Sequence, residues 1–186
     1  TFTSLNYPGT SENWVTGINN AGTVIVGWYI DAGGSDHSYT VSNGTYTALP
    51  DYPGAKNTAA TGVNDAGTIV GYHRNVGDPY YGFVLSGGTY TSVNVPNADY
   101  GSYHRGTRPE DINNAGMIVG YYIDAAGVSH GFVLSGGTYT TIHYPGASGT
   151  RANGINDVGT IVGTYWDVDD VQRGFVATPD ILPSLT

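Results

Sequence analysis

One heptapeptide is written four times along this chain: Gly17-Ile-Asn-Asn-Ala-Gly-Thr, Gly62-Val-Asn-Asp-Ala-Gly-Thr, Asp111-Ile-Asn-Asn-Ala-Gly-Met and Gly154-Ile-Asn-Asp-Val-Gly-Thr. Each copy opens a unit of about 45 residues. Every unit continues through an apolar run and a Gly-Phe-Val-like run, and a Thr-Tyr-Thr run follows in most of them. Units of this length bury their faces only by stacking on one another, and the period is that of propeller blades. What all four copies share therefore serves the scaffold. What one copy alone carries is a candidate for function.

The third copy shows how a unit folds. Arg108 to Asn114 reads as a short strand, and Asn113-Asn114-Ala115-Gly116 as a tight turn, because Asn and Gly tolerate left-handed backbone. Met117 to Asp124 is a second strand, His130 to Leu134 a third and Thr138 to Tyr144 a fourth, with Pro145-Gly146 ending the unit. The middle strands are continuously apolar, as in Ile69-Val70 and Phe83-Val84-Leu85, which suits sheets covered on both faces. The expected fold is all-β: a four-bladed β-propeller with four antiparallel strands per blade.

The two ends of the chain supply the expected closure. The fourth copy stops after Gly174-Phe-Val-Ala-Thr178 without a Thr-Tyr-Thr strand. Thr1-Phe-Thr-Ser-Leu-Asn-Tyr-Pro-Gly9 matches Thr138-Tyr-Thr-Thr-Ile-His-Tyr-Pro-Gly146 position for position. The reading is thus one domain, 1–178, with 1–9 as the outer strand of blade 4. Blade 1 is 13–53, blade 2 is 58–96, blade 3 is 108–145, the rest of blade 4 is 151–178, and 179–186 is a C-terminal tail. The pattern Gly-Ile-Asn-Asn-x-Gly-x-Ile-Val-Gly-x-Tyr-x-Asp followed by His-Gly-Phe resembles the HAF-type repeat of extracellular bacterial proteins. That resemblance covers nearly the whole chain and implies a secreted or cell-surface propeller. It supplies no catalytic signature.

Charge and composition exclude several partners. A formal charge of −9, with six Lys and Arg in all, disfavours nucleic acid, whose phosphates need many cations. No run is long enough to cross a bilayer, so membrane insertion is not expected. Cysteine is absent, which removes disulfides and thiolate metal sites. No Gly-x-Ser-x-Gly elbow, His-Glu-x-x-His helix, phosphate loop or dinucleotide fingerprint is present. No cofactor is expected. A structural cation on the axis, held by backbone carbonyls as in hemopexin-like propellers, remains an analogy from fold alone.

The long connections between strands two and three, and between consecutive blades, share one end of the ring, here called the top. All six cations, Lys56, Arg74, Arg105, Arg108, Arg151 and Arg173, fall on or beside it. Either polar residues simply populate loops there, or the cations gather where an anionic group binds. Asp31, Asp124 and Asp167 recur at one repeat position, with His37, His130 and Arg173 six residues on. Shared by several blades, these pairs read as clasps across a turn.

The segment Pro96–Pro109 is longer than its counterparts and is followed by Glu110-Asp111 where other copies have Thr-Gly or Asn-Gly. It gathers Tyr103, His104, Arg105 and Arg108 beside Glu110. Such a set could bind a sugar acid, or abstract a proton beside a carboxylate, with Tyr103 or His104 moving the proton and Arg108 or Arg105 holding the acid, or serve a hydrolase in which Glu110 and Asp169 share the work. Ion pairing of Arg108 with Glu110 is the structural alternative. The expected site comprises Tyr103, His104, Arg105, Arg108 and Glu110, flanked by Lys56, Arg74, Arg151 and Arg173, with Glu12, Trp14 and Asp169 opposite. The leading expectation is a secreted propeller binding a glycan or other polar, partly anionic small molecule. The alternatives are a polysaccharide lyase or glycoside hydrolase, a small-molecule lyase or cyclase, and a structural matrix protein. Oligomeric state is not legible.

Overall fold

The computed structural model describes residues 2–178, and every element in it is a β-strand. Blade 1 holds β1 (Asn13–Ile18), β2 (Ile25–Ile30), β3 (Asp36–Ser42) and β4 (Thr45–Ala48). Blade 2 holds β5 (Asn57–Val63), β6 (Ile69–Arg74), β7 (Tyr81–Ser86) and β8 (Thr89–Val93). Blade 3 holds β9 (Gly106–Ile112), β10 (Ile118–Ile123), β11 (Ser129–Ser135) and β12 (Thr138–Ile142). Blade 4 holds β13 (Gly149–Ile155), β14 (Ile161–Trp166) and β15 (Gln172–Ala177). Each sheet is an antiparallel meander in sequence order, and the four sheets are arranged around one axis as a four-bladed propeller. Among the described residues no helix is long and apolar enough to cross a membrane.

The repeated turn explains both the hairpin and the joint between blades. The first Asn folds back on its own hairpin: the Oδ1 atoms of Asn19, Asn64, Asn113 and Asn156 accept the backbone N–H of Thr23, Thr68, Met117 and Thr160 at 2.8–3.0 Å. Its Nδ2 also reaches the next blade, from Asn64 to Asn113 O at 3.2 Å and from Asn113 to Asn156 O at 3.1 Å. The second residue carries a further inter-blade chain. Ala21 N donates to Asp65 Oδ1, Asp65 N to Asn114 Oδ1 and Asn114 N to Asp157 Oδ1, each at 2.8 Å. The Asn114 amide also donates to both flanking carboxylates, Asp65 at 2.7 Å and Asp157 at 2.9 Å.

Inner strands carry a bulge at Thr16, Thr61, Glu110 and Asn153. A bulge re-aims its side chain. At Thr16 and Thr61 the hydroxyl donates to a carbonyl on the next inner strand, Ala60 O at 2.8 Å and Pro109 O at 2.9 Å. Between blades the Val26, Val70, Val119 and Val133 side chains are fully buried. The outer strand lays an aromatic ring on the third strand, as in Tyr90 on Phe83 and Tyr139 on Phe132.

The expected closure is corrected by the structure. The sheet of blade 4 has three strands, and residues 2–9 belong to no sheet. Tyr7 stacks on Tyr29 of blade 1 at 4.1 Å, just as Tyr52 stacks on His73 and Tyr144 on Tyr165. The segment therefore occupies its repeat position relative to the blade that follows it, and blade 4 does not come round to meet it. The seam faces stay in water: Val162 is 49% and Val176 66% exposed on blade 4, and Ile18 is 60% exposed on blade 1. Thr1 and the tail 179–186 lie outside the described residues.

Two measurements follow from this packing. A Cβ on Gly71 would sit 2.1 Å from Ala59 O and 2.7 Å from the Phe83 ring, so Gly71→Ala is expected to cost about 1–3 kcal/mol in urea unfolding. His73 lies flat on Tyr52 at 3.5 Å, and burial pushes its pKa down to about 4. The neutral ring is thus favoured on folding. Its contribution is fully present above the free histidine value of about 6.5 and is lost as pH falls towards 4. His73→Phe is expected to remove that part of the acid sensitivity, read as stability of variant minus parent across this interval.

Candidate functional site

The inner strand and its neighbour set a recurring pair of positions near the top. They hold Trp14 and Trp28 in blade 1, Ala59 and Tyr72 in blade 2, Arg108 and Tyr121 in blade 3, and Arg151 and Thr164 in blade 4. Because each inner strand also packs on the preceding blade, an Arg here lies between aromatic rings. The Arg108 guanidinium is 4.2 Å from the Tyr72 centroid, 4.9 Å from Tyr80 and 5.6 Å from Tyr121. Arg151 is 4.2 Å from Tyr121 and 4.9 Å from Trp166. The result is a ladder, Tyr72–Arg108–Tyr121–Arg151–Trp166, crossing blades 2 to 4. Desolvated cation–π contacts of this kind are worth about 2 kcal/mol each. The Nε atoms of Arg74, Arg108 and Arg151 are buried without a hydrogen-bond acceptor among the described residues.

A rim cluster adjoins the ladder. Arg74 lies 4.9 Å from Tyr80 and 5.4 Å from Tyr103. Tyr80 Oη and His104 Nδ1 share a hydrogen bond of 2.8 Å, and the Tyr103 and His104 rings are 3.7 Å apart. His104 has a left-handed φ of 61°. Partial burial, then the Arg74 and Arg108 charges, hold its pKa below the ordinary histidine value. Tyr103, His104 and Arg74 thus gather around Tyr80, which also contacts Arg108, and Arg151 is connected to them through Tyr121.

The two unusual carboxylates part company. Glu110 occupies the bulge position and faces Arg108, Nε to Oε1 3.4 Å, with side chains only 24% and 18% exposed. Burial raises the Glu110 pKa, against the pull of Arg108 and Arg151. Asp111 turns away and ties blade 3 to blade 4, accepting from Ile112 N at 2.8 Å and Ile155 N at 2.9 Å. Burial raises its pKa too, and those backbone bonds pull it back.

Other expected site residues are committed elsewhere. Arg105 pairs with Asp99 at 3.0 Å and donates to Asp124 O and Ala125 O. Arg173 pairs with Asp167 at 2.6 Å. The loop clasps are as read: His37 with Asp31 at 3.2 Å and His130 with Asp124 at 2.9 Å, each Asp also accepting backbone N–H groups of its turn. Asp169 gives its own N–H to Asp167. Trp14 stacks on Trp28 at 4.0 Å on the seam side of blade 1, where Glu12 also lies, and Lys56 leads into β5 through a bond from its N–H to Asn75. None of these three joins the ladder.

Between blades 3 and 4 the ladder meets an open pocket of about 210 Å³. Arg151, Trp166, Ser129, Ser148 and Asp170 line it. Arg151 makes no ion pair among the described residues, in contrast to Arg105, Arg108 and Arg173. Among the described residues no three His, Cys, Asp or Glu side chains form a metal-holding group. Sequence reading missed Tyr72 and Tyr121. Their position, directly after the Ile-Val-Gly of every copy, is aromatic in three of the four and so reads as scaffold.

No protein-family model matches this chain, and no curated protein does. Solved structures do. A TolB-type protein from Agrobacterium tumefaciens superposes with TM-score 0.60 at 15% identity, over 88% of this chain and 60% of that one. A puromycin hydrolase variant complexed with PGG gives 0.57 at 13%, over 90% and 27%. An arginine-to-alanine variant of AofleA from Arthrobotrys oligospora gives 0.51 at 15%, over 89% and 53%. At these identities the likeness is one of fold. The chain spans less than two thirds of each of these proteins.

Removing Glu110 leaves the Arg108 charge enclosed without its partner. Glu110→Ala is expected to lower the unfolding free energy by about 3 kcal/mol, read by chemical denaturation at neutral pH.

Proposed function

We propose that this propeller is a binding module whose top face takes a polar ligand bearing a carboxylate, a uronic-acid-containing glycan before others. One observation carries the reading. Arg151, oriented between Tyr121 and Trp166 and without a carboxylate of its own among the described residues, opens onto a polar pocket. A fixed guanidinium offers a carboxylate paired hydrogen bonds. Ser129, Ser148 and Asp170 supply partners for sugar hydroxyls. At about 210 Å³ the pocket is below the usual range for drug-sized ligands and suits a single sugar unit. The repeat pattern supports a setting outside the cell.

The catalytic alternative finds less support. A lyase needs Arg108 or Arg105 for the substrate acid, and Arg108 faces Glu110 while Arg105 pairs with Asp99. A hydrolase needs two free carboxylates, and Glu110 is spent in the same pair.

Calorimetric titration with oligomers of galacturonate and of neutral galactose tests the reading. The acidic oligomer is expected to bind more tightly. Arg151→Ala is expected to weaken it at least about tenfold, with partial retention in Arg151→Lys. Unchanged affinity in Arg151→Ala would remove Arg151, and the pocket with it, from the binding account.

A further inference from the structure

Three features of the seam belong together. The edge of β15 is unpaired among the described residues, and an apolar groove of about 350 Å³ runs beside it, lined by Ile142, Tyr144, Pro145, Phe175 and Ala177 among others. Phe2 is fully exposed. Residues 1–9 repeat the sequence of β12 and its exit, with the same spacing: six residues separate Tyr7 from Asn13, Tyr52 from Thr58 and Tyr144 from Thr150.

The wiring of the fold says what this segment is for. In each complete blade the outer strand leads directly into the inner strand of the next blade. Residues 2–6 lead into β1 and so hold the sequence place of an outer strand of whichever blade packs on blade 1. Blade 4 of the same chain is not there. We infer that a second copy of this chain docks head-to-tail across the seam, so that residues 2–6 of one copy become the fourth strand of the other copy's blade 4.

The faces fit as the three internal joints do. In register with Tyr139 and Thr140 on β12, Phe2 falls opposite Ala177 and Thr3 opposite Val176. Phe2 then fills the groove over Phe175, as Tyr139 covers Phe132. The joint from blade 1 to blade 2 sets the large Trp28 position against the small Ala59 position; the seam sets small Thr164 against large Trp14. Val162 and Ile18, exposed now, become buried. The Asp157 N–H and the Asn20 side chain, both without a partner among the described residues, stand where Asn114 N and Asp157 stand in the joint before. With two copies each blade 4 receives the other's residues 2–6, so the pair is related by a twofold axis and neither seam face is left open.

Sedimentation of the full chain across a concentration series is expected to show a dimer dissociating on dilution. Val162→Asp and Ile18→Asp are each expected to raise the dissociation constant by about thirtyfold or more. An equimolar mixture of a Thr3→Cys chain and a Val176→Cys chain is expected to oxidise to a covalent heterodimer, in a background without other cysteines. Three results would overturn the inference. They are a monomer at every concentration, association that both seam variants leave intact, and no crosslink in the mixture while a chain carrying both cysteines closes on itself. Each bears on the seam alone, since Arg151 and its pocket lie between blades 3 and 4.

Discussion

The propeller depends on one hydrogen-bond chain, the amide and carboxylate relay through the repeated Asn-Asn or Asn-Asp turn. A single residue type does two tasks there. The carbonyl oxygen of the first Asn holds its own hairpin closed, while its amide nitrogen reaches the neighbouring blade. Folding of a blade and docking of the next are therefore coupled through the same side chain. Asp could not replace it, because an ionised carboxylate has no donor. The buried valines supply the driving force of the joint, and this relay supplies its register.

The arginine ladder breaks the regularity of that frame. Where blade 2 places Ala59 on the inner strand, blades 3 and 4 place Arg108 and Arg151, and the next strand of each neighbouring blade already carries a ring to receive them. The scaffold aromatics thus become an orienting device for guanidinium groups. Arg108 pairs with Glu110, and Arg151, one step further round, borders an open pocket and makes no ion pair among the described residues.

Much of this was legible from residues alone. The Asn-Ala-Gly turns, the apolar middle strands and the Thr-Tyr-Thr outer strand gave every strand of blade 3 to within a few residues. The Asp–His clasps were legible because they recur. The closure was not. The match between residues 1–9 and β12 gives the segment its place in the repeat, and nothing local says whether blade 4 of the same chain reaches that place. The ladder was obscured for a related reason: Tyr72 and Tyr121 sit at shared positions, and only the three-dimensional neighbour of each reveals a second use. Arg105 and Arg173 looked like ligand-binding cations because charge says nothing of the nearby Asp99 and Asp167 that absorb them.

The turn relay has one more consequence. Its second residue alternates, Asn20, Asp65, Asn114, Asp157, and the amide of Asn114 sits between two carboxylates that would otherwise face each other. The unit that copies without disturbing this alternation is therefore a pair of blades. Duplicating one blade would set like beside like and strand an acid without its donor. Lineages growing or shrinking by unequal recombination would be expected to move in steps of two blades.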